Sequence, residues 1–198
     1  MKFFISNHIG IYDNVLNQKE CEILIDQFEK STTIVDGGIF LEGEFVKEYS
    51  HKKCKEIKYT HLGDKSIISN IIDVRIKQSM EKYKKQFPHV NEYLCEWEID
   101  IGYNFQKYEA EDDGYKRWHC EQSGGPASHR ILAWMFYVND AKSGTEFMHY
   151  PTIKAKRGRC VIWPAFWTHV HKGVVPNKGL KYIATGWVSY VDDGDNIR

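Results

Sequence analysis

The segment EWEIDIGYNF, residues 96–105, marks a change of period in the sequence. From Trp97 to Phe105 its large apolar side chains occupy every second position. That spacing is typical of a strand with one buried face. Three further apolar stretches of strand length follow, at residues 131–138, 159–163 and 180–191. We therefore predict that the C-terminal half of the chain consists of β-strands.

Two amphipathic helices are predicted before this segment. The first follows Asn17, which stands three residues before Glu20 in the spacing of a capping box. The second starts near Asp64 and ends before Pro88. The apolar stripe of the first helix is Cys21, Leu24, Ile25 and Phe28, and that of the second is Ile68, Ile71, Ile72, Ile76, Met80 and Tyr83. Both helices are expected to pack on a larger body.

The segment between the helices has a different character. Residues 32–62 mix short β-prone pieces with glycines and many charges. This composition predicts strands joined by an exposed loop. We expect this loop to act as a lid over a functional site.

Helices followed by a run of short strands predict an α+β fold whose β part is a sandwich or a jelly roll. The chain has 198 residues, 42% of them hydrophobic, which is enough for one buried core. We expect a single domain over residues 1–198. In it, residues 1–95 form the helical support and lid region, and residues 96–191 form the β core.

The overall composition excludes several classes of function. The 27 basic residues equal the 27 acidic ones, so no global charge attracts nucleic acid or an anionic membrane. No apolar stretch approaches the roughly 20 residues that cross a bilayer. The five cysteines are odd in number and contain no CxxC pair, so we expect neither disulfides nor a zinc knuckle. A cytoplasmic location, with no nucleic-acid or membrane partner, is the expectation.

Candidate metal ligands lie in two segments of the strand-rich half. His119 and Glu121 are two residues apart, so in extended backbone both side chains point to one face. About fifty residues later, the segment WTHVH, residues 167–171, supplies at least one further imidazole. Two histidines and one carboxylate form the facial triad of non-haem iron(II) oxygenases.

Lys181 adds a possible cation near this metal. It follows His171 by ten residues, across the turn-like segment VPNKG, residues 175–179. This segment should fold the chain back antiparallel. A charge inside a small barrel is costly unless it is paired, and the carboxylate of a metal-chelating cosubstrate would pair it.

The sequence resembles the iron(II)- and 2-oxoglutarate-dependent dioxygenases of the prolyl 4-hydroxylase type over nearly its whole length. The matching segments are IYDNVLNQKECEILIDQFE, QKYEAEDDGYKRWHCE, RILAWMFYVND with the following GTEF, and IWPAFWTHVHKGVVPNKGLKYIATGW. The resemblance implies a double-stranded β-helix, that is, a jelly roll, with supporting N-terminal helices. It also implies Fe(II) and 2-oxoglutarate as cofactors and O2 as cosubstrate.

Individual site residues follow from the resemblance. His171 is preferred to His169 as the distal ligand because it lies ten positions before Lys181, although a bulge would allow His169. Tyr137 and Lys181 are implied to bind the distal carboxylate of 2-oxoglutarate, and Tyr108 to line the same pocket. Two further residues, Thr185 and Trp187, share the strand face of Lys181 and are expected to close that pocket.

The implied reaction converts 2-oxoglutarate to succinate and CO2 while a substrate is hydroxylated. Prolyl residues of a protein or peptide come first as the substrate, and a small molecule is the alternative. Glu121 departs from the family pattern, which has aspartate there. Two other readings stay open: a cupin-like zinc enzyme in which Cys120 or Cys160 joins the metal, and a non-catalytic binding barrel.

Overall fold

The computed structural model describes residues 7–41, 44–60, 66–109 and 111–191. Three α-helices and fourteen strands occur in these ranges. The helices are α1 Gln18–Glu29, α2 Ile67–Gln86 and α3 His89–Glu92. The strands are β1 Gly10–Tyr12, β2 Val35–Asp36, β3 Ile39–Leu41, β4 Glu44–Val46, β5 Lys52–Lys53, β6 Lys55–Thr60, β7 Trp97–Glu109, β8 Gly114–Tyr115, β9 Arg130–Tyr137, β10 Gly144–Phe147, β11 Ile153–Lys154, β12 Arg159–Pro164, β13 His171–Val174 and β14 Leu180–Tyr190. Gly125–Ala127 and Trp167–His169 are short 3-10 helices.

Two sheets form the body of the fold. The large sheet has the strand order β1-β12-β9-β14-β7-β6-β2, and the small one has the order β11-β10-β13. Neighbouring strands in both are antiparallel. This is the predicted α+β jelly roll, and the strands predicted at residues 131–138, 159–163 and 180–191 are confirmed within one or two residues.

The large sheet has a buried cluster on each face. The helix-side core joins it to α1 and α2 and includes Leu24, Phe28, Ile72, Ile76, Phe105 and Trp134. The interior core consists of Ile9, Cys54, Tyr108, Ala133, Met135, Tyr137, Phe147, Ile153, Ala155, Val161, Trp163 and Ile183. Successive residues of β9 and β12 alternate between the two clusters, as the pleat requires. The interior core takes residues from both sheets and is the inside of the jelly roll.

The predicted helices form with small differences at their ends. The Asn17 side chain accepts from the Glu20 amide at 2.9 Å, and the Glu20 carboxylate accepts from the Asn17 amide at 2.8 Å, which confirms the capping box. The second helix is capped by Ser66 and begins at Ile67. Its predicted start near Asp64 lies outside the described residues. Phe28 of α1 packs edge-on against Phe105 of β7, with ring centroids 5.1 Å apart.

The alternation predicted in β7 fails at Ile101, whose side chain is 48% exposed. Tyr103 pairs with Gly186 of β14, whereas Ile99 pairs with Val188. Between these pairs β7 advances four residues and β14 only two, so β7 bulges. The extra residues of a bulge are unpaired and bend the strand out of its regular pleat, and Ile101 lies among them. The regular alternation of apolar residues does not reveal this bulge.

Residues 32–62 contain the predicted short strands, β2 to β6, as far as they are described. The predicted lid function stays a prediction. The turn at residues 175–179 also differs from the expected antiparallel return. β13 pairs with β10 in the small sheet, and β14 pairs with β7 and β9 in the large one, so the turn joins two sheets. Gly179 enters β14 with φ +76°, which glycine adopts without strain. No helix in the described residues is long and apolar enough to cross a membrane.

Candidate metal centre

Backbone pairing brings the candidate ligands together. His119 and His171 form an isolated antiparallel bridge, in which each amide donates to the other's carbonyl, at 3.0 and 2.9 Å. The amide of Glu121 donates to the carbonyl of Ala165 at 3.0 Å. The prediction places His119 and Glu121 in extended strand backbone. In the structure they lie in a bridged loop after β8 and not in a regular strand. Their side chains nevertheless point the same way.

The three side chains converge on one point. Glu121 Oε1 lies 3.6 Å from His119 Nε2 and 3.3 Å from His171 Nε2. One ligand atom from each residue lies within 4.8 Å of the others. Both imidazoles donate from Nδ1 to a backbone carbonyl at 2.9 Å, His119 to Arg117 and His171 to His169. These bonds fix each ring with Nε2 turned inward, which is how metal-binding histidines are commonly held.

The electrostatics of the cluster suit a cation. Burial alone would raise the pKa of Glu121, but hydrogen bonds and charge from His119 and His171 hold it well below its ordinary value. Burial, reinforced by His171, lowers the pKa of His119. An ionised carboxylate and a neutral imidazole are the protonation states that bind metal.

Trp187 and Arg130 support the outer side of Glu121. Trp187 Nε1 donates to Glu121 Oε2 at 2.7 Å. The Arg130 guanidinium lies 3.7 Å from the centre of the Trp187 ring and donates to the Glu121 carbonyl oxygen at 3.2 Å. Trp187 is predicted to close the cosubstrate pocket, whereas in the structure its indole N–H contacts the candidate ligand. Sequence reasoning missed Arg130 because its only visible signal was its place at the start of a predicted strand.

His169 is engaged elsewhere. Its Nε2 lies 2.7 Å from the Asn7 carbonyl oxygen and its Nδ1 lies 2.9 Å from Thr168 Oγ1. Its ring stacks on Tyr150. Both ring nitrogens are therefore occupied, and the residue is not in the cluster of candidate ligands. The geometry favours His171, in agreement with the ten-residue spacing to Lys181.

Lys181 is a buried cation with few partners. It is only 3% exposed. Its Nζ donates to the Val174 carbonyl at 3.2 Å and lies 4.6 Å from the centre of the Tyr108 ring. In the described parts of the chain, no carboxylate lies within 4 Å of it. Burial lowers its pKa to about 8. An anionic ligand such as the distal carboxylate of 2-oxoglutarate would fit this site.

The other predicted pocket residues already have protein partners. The Tyr137 hydroxyl lies 2.7 Å from Thr145 Oγ1 and donates to the Ile153 carbonyl at 3.3 Å. The Tyr108 hydroxyl donates to Gln106 Oε1 at 2.7 Å. The Thr185 hydroxyl donates to the carbonyl of Trp134 at 2.9 Å. Tyr108 therefore contributes its ring face to Lys181, and not its hydroxyl.

Neither cysteine proposed for the zinc alternative lies at the site. Cys120 Sγ donates to the carbonyl of Gln122, and Cys160 is buried in the helix-side core. A residue that the sequence analysis missed is Tyr115, whose ring stacks on His119 with centroids 3.7 Å apart. It lies in the segment QKYEAEDDGYKRWHCE, four residues before His119, and this spacing was the available signal.

Solved structures with the same fold come from three kinds of organism. A viral collagen prolyl hydroxylase from Paramecium Bursaria Chlorella virus-1, in complex with 2-oxoglutarate, has a TM-score of 0.67 at 17% identity, over 93% of this chain and 97% of that chain. A Trichoplax adhaerens prolyl hydroxylase in complex with a hypoxia inducible factor peptide has a TM-score of 0.70 at 14% identity, over 93% of this chain and 84% of that chain. A Pseudomonas putida prolyl-4-hydroxylase has a TM-score of 0.67 at 11% identity, over 94% of this chain and 95% of that chain.

The two histidines and one carboxylate of the cluster have the composition of a mononuclear metal site. Residues 103–189 match the model of the 2OG-Fe(II) oxygenase superfamily. The chain therefore contains a 2OG-Fe(II) oxygenase domain, and it is a 2-oxoglutarate-dependent dioxygenase with Fe(II) and 2-oxoglutarate as cofactors. No curated protein sequence matches the chain significantly.

Proposed function

We propose that this dioxygenase hydroxylates prolyl residues of a protein or peptide. In this proposal His119, Glu121 and His171 hold the iron, and Lys181 binds the distal carboxylate of 2-oxoglutarate. The observation that carries the proposal is the convergence of these three ligand atoms within 4.8 Å, at one end of an interior that also holds a buried lysine.

Each residue has a defined task in this proposal. Iron and 2-oxoglutarate, when bound, supply the oxidising chemistry that couples decarboxylation to hydroxylation. His119 and His171 present Nε2 because the Arg117 and His169 carbonyls hold Nδ1. Glu121 presents Oε1 because Trp187 holds Oε2. The interior core excludes water from the reacting atoms, which limits side reactions.

A prolyl substrate is supported by the neighbours and by the surface beside the cluster. The three solved structures are prolyl hydroxylases by name, and one of them holds a peptide. In this chain Phe166 and Trp167 follow Ala165, the partner of the Glu121 amide, and both are exposed. Exposed aromatic side chains suit proline-containing segments, which lose little entropy on binding.

The test is a screen of peptides that contain proline, with Fe(II), 2-oxoglutarate and O2. We expect a gain of one oxygen atom on proline, matched by an equal amount of succinate. Each peptide is compared with its Pro→Ala counterpart, and the enzyme with its His119→Ala and Glu121→Ala variants. Equal oxygen gain on the alanine peptides would exclude proline as the target. Turnover by both variants would exclude the ligand assignment.

A further inference from the structure

Trp163 carries a buried polar group without a partner. In the described part of the chain, only two buried side-chain nitrogen or oxygen atoms have no hydrogen-bond partner, Trp163 Nε1 and His51 Nδ1. The indoles of Trp97, Trp134 and Trp187 all donate, to the Val90 carbonyl, the Trp187 carbonyl and Glu121 Oε2. Trp163 is 2% exposed, so bulk water does not satisfy its N–H.

The position of Trp163 associates it with the metal centre. Its ring meets the His171 ring edge-on, with centroids 5.1 Å apart, and meets Phe147 in the same way at 5.7 Å. Across the large sheet, Trp163 pairs with Ala133, and Ala133 pairs with Trp187. The two indoles therefore flank a small residue in one row. Trp187 reaches Glu121 from this row, and Trp163 contacts His171.

An unsatisfied buried N–H costs about 1–3 kcal/mol, so a native protein is expected to give it an acceptor in some state. A neutral donor in a dry interior pairs best with an anion. Along β14, the side chains at positions 181, 183, 185 and 187 point to the interior. Lys181 and Trp187 therefore lie at opposite ends of this row, and Lys181 is at the end away from the ligand cluster. Trp163 faces the end where the metal ligands converge.

We propose that Trp163 Nε1 donates a hydrogen bond to the metal-binding head of 2-oxoglutarate, its 1-carboxylate and 2-keto group. Trp163 is then a positioning residue that orients the head beside His171, while Lys181 holds the opposite carboxylate. The inference rests on the proposed ligand set and is independent of the substrate.

The direct test is the indole N–H resonance of Trp163 in 15N-labelled protein loaded with Zn(II), which is diamagnetic. The chain has six tryptophans, so six indole signals are expected. The Trp163 signal is assigned by its loss in Trp163→Phe, or by its proximity to the Phe147 and His171 rings in the wild type if that variant does not fold. Addition of 2-oxoglutarate should move this signal strongly downfield and slow its exchange with solvent. An unmoved signal at saturating 2-oxoglutarate overturns the proposal.

A binding measurement separates the two ends of the ligand. In Trp163→Phe, the Kd of 2-oxoglutarate for the Zn(II) protein should rise about 10-fold, the effect of one charge-assisted hydrogen bond. The Kd of a 2-oxo acid that lacks the distal carboxylate should rise by the same factor. Trp97→Phe is the control, since it removes an indole donor on the helix side. An unchanged Kd in Trp163→Phe contradicts the proposal.

Failure of this inference is distinguishable from failure of the proposed function. Neither measurement uses prolyl turnover, so a different substrate leaves both results intact. Zn(II) affinity is measured first in the wild type and in His119→Ala. If that substitution leaves metal binding unchanged, the ligand set is wrong. If metal binds as proposed and the Trp163 signal does not respond, the inference alone is wrong.

Discussion

Trp187 donates its indole hydrogen to Glu121 Oε2 at 2.7 Å, and this bond leaves Oε1 facing both imidazoles. The carboxylate therefore has one oxygen for the protein and one for a metal. Trp187 is itself covered by the Arg130 guanidinium. Together they fix the orientation of a side chain that has one more rotatable bond than the usual aspartate. In the proposed ligand set, this support would allow glutamate to take the place of the usual aspartate.

The first prediction concerns Trp187→Phe. The variant keeps the ring over Arg130 but removes the donor to Glu121, so the carboxylate loses its fixed orientation. We expect metal affinity to fall about 10- to 100-fold, as for other residues that orient a metal ligand. Isothermal titration with Mn(II) under anaerobic conditions measures it. Trp97→Phe should bind Mn(II) like the wild type, and equal affinity in the two variants would refute the supporting role of Trp187.

The placement of His119 and Glu121 on one side of the candidate site could be predicted from their spacing in the sequence. His119 and Glu121 are two residues apart, and even a short bridged segment presents such a pair on one side. The helices were visible for the same kind of reason, since Asn17 and Glu20 encode their own capping box. Local patterns predict what local backbone geometry determines.

The second prediction separates the two histidines of the segment WTHVH. His171→Ala should abolish Fe(II) binding and succinate formation, because it removes one of the three convergent ligand atoms. His169→Ala should retain metal binding, since both of its ring nitrogens are already occupied. Metal content after reconstitution and succinate release measure both effects. The reverse pattern would make His169 the distal ligand.

The third prediction concerns Lys181→Met, which keeps an unbranched side chain only one atom shorter and removes its charge. We expect the Kd of 2-oxoglutarate to rise about 100-fold, the cost of losing one partner of a buried charge pair. Mn(II) affinity should stay the same, because Lys181 does not touch the ligand cluster. Lys156→Met is the matched control, since Lys156 pairs with Asp13 on the surface. An unchanged 2-oxoglutarate Kd would remove Lys181 from the pocket.

The fourth prediction is the pH dependence of this binding. Burial lowers the pKa of Lys181 from its ordinary 10.5 to about 8 in the ligand-free protein. Only the protonated amine attracts a carboxylate. Affinity for 2-oxoglutarate should therefore be level below this pKa and fall by up to about tenfold per pH unit above it. Titrations of the Mn(II) protein between about pH 6.5 and 9.5 test this. Lys181→Met should lose this dependence, and an equal slope in the variant would assign it to another group.

Other features depend on contacts that no local pattern encodes. Ile101 faces outward because β7 bulges against β14, and a bulge depends on the register of two strands distant in sequence. Tyr108 was expected in the pocket, but the engagement of its hydroxyl with Gln106 follows from residues that the fold brings together. Gln106 in turn donates to Glu56, which pairs with Lys52 in a buried network. Such networks become visible only in three dimensions.

The last prediction concerns the length of the acidic ligand. Glu121→Asp restores the usual family residue but shortens the side chain by one methylene. The backbone at this residue is held by the bond to the Ala165 carbonyl, so the shorter carboxylate cannot both accept from Trp187 and reach the imidazoles. We expect about 10-fold weaker Fe(II) binding or more, with a matching fall in succinate formation at low Fe(II). Glu121→Gln, which keeps the length without the charge, is the comparison, and both are measured by anaerobic titration. Binding by the aspartate variant as tight as that of the wild type would mean that this loop adjusts freely, and that Trp187 does not set the position of the ligand.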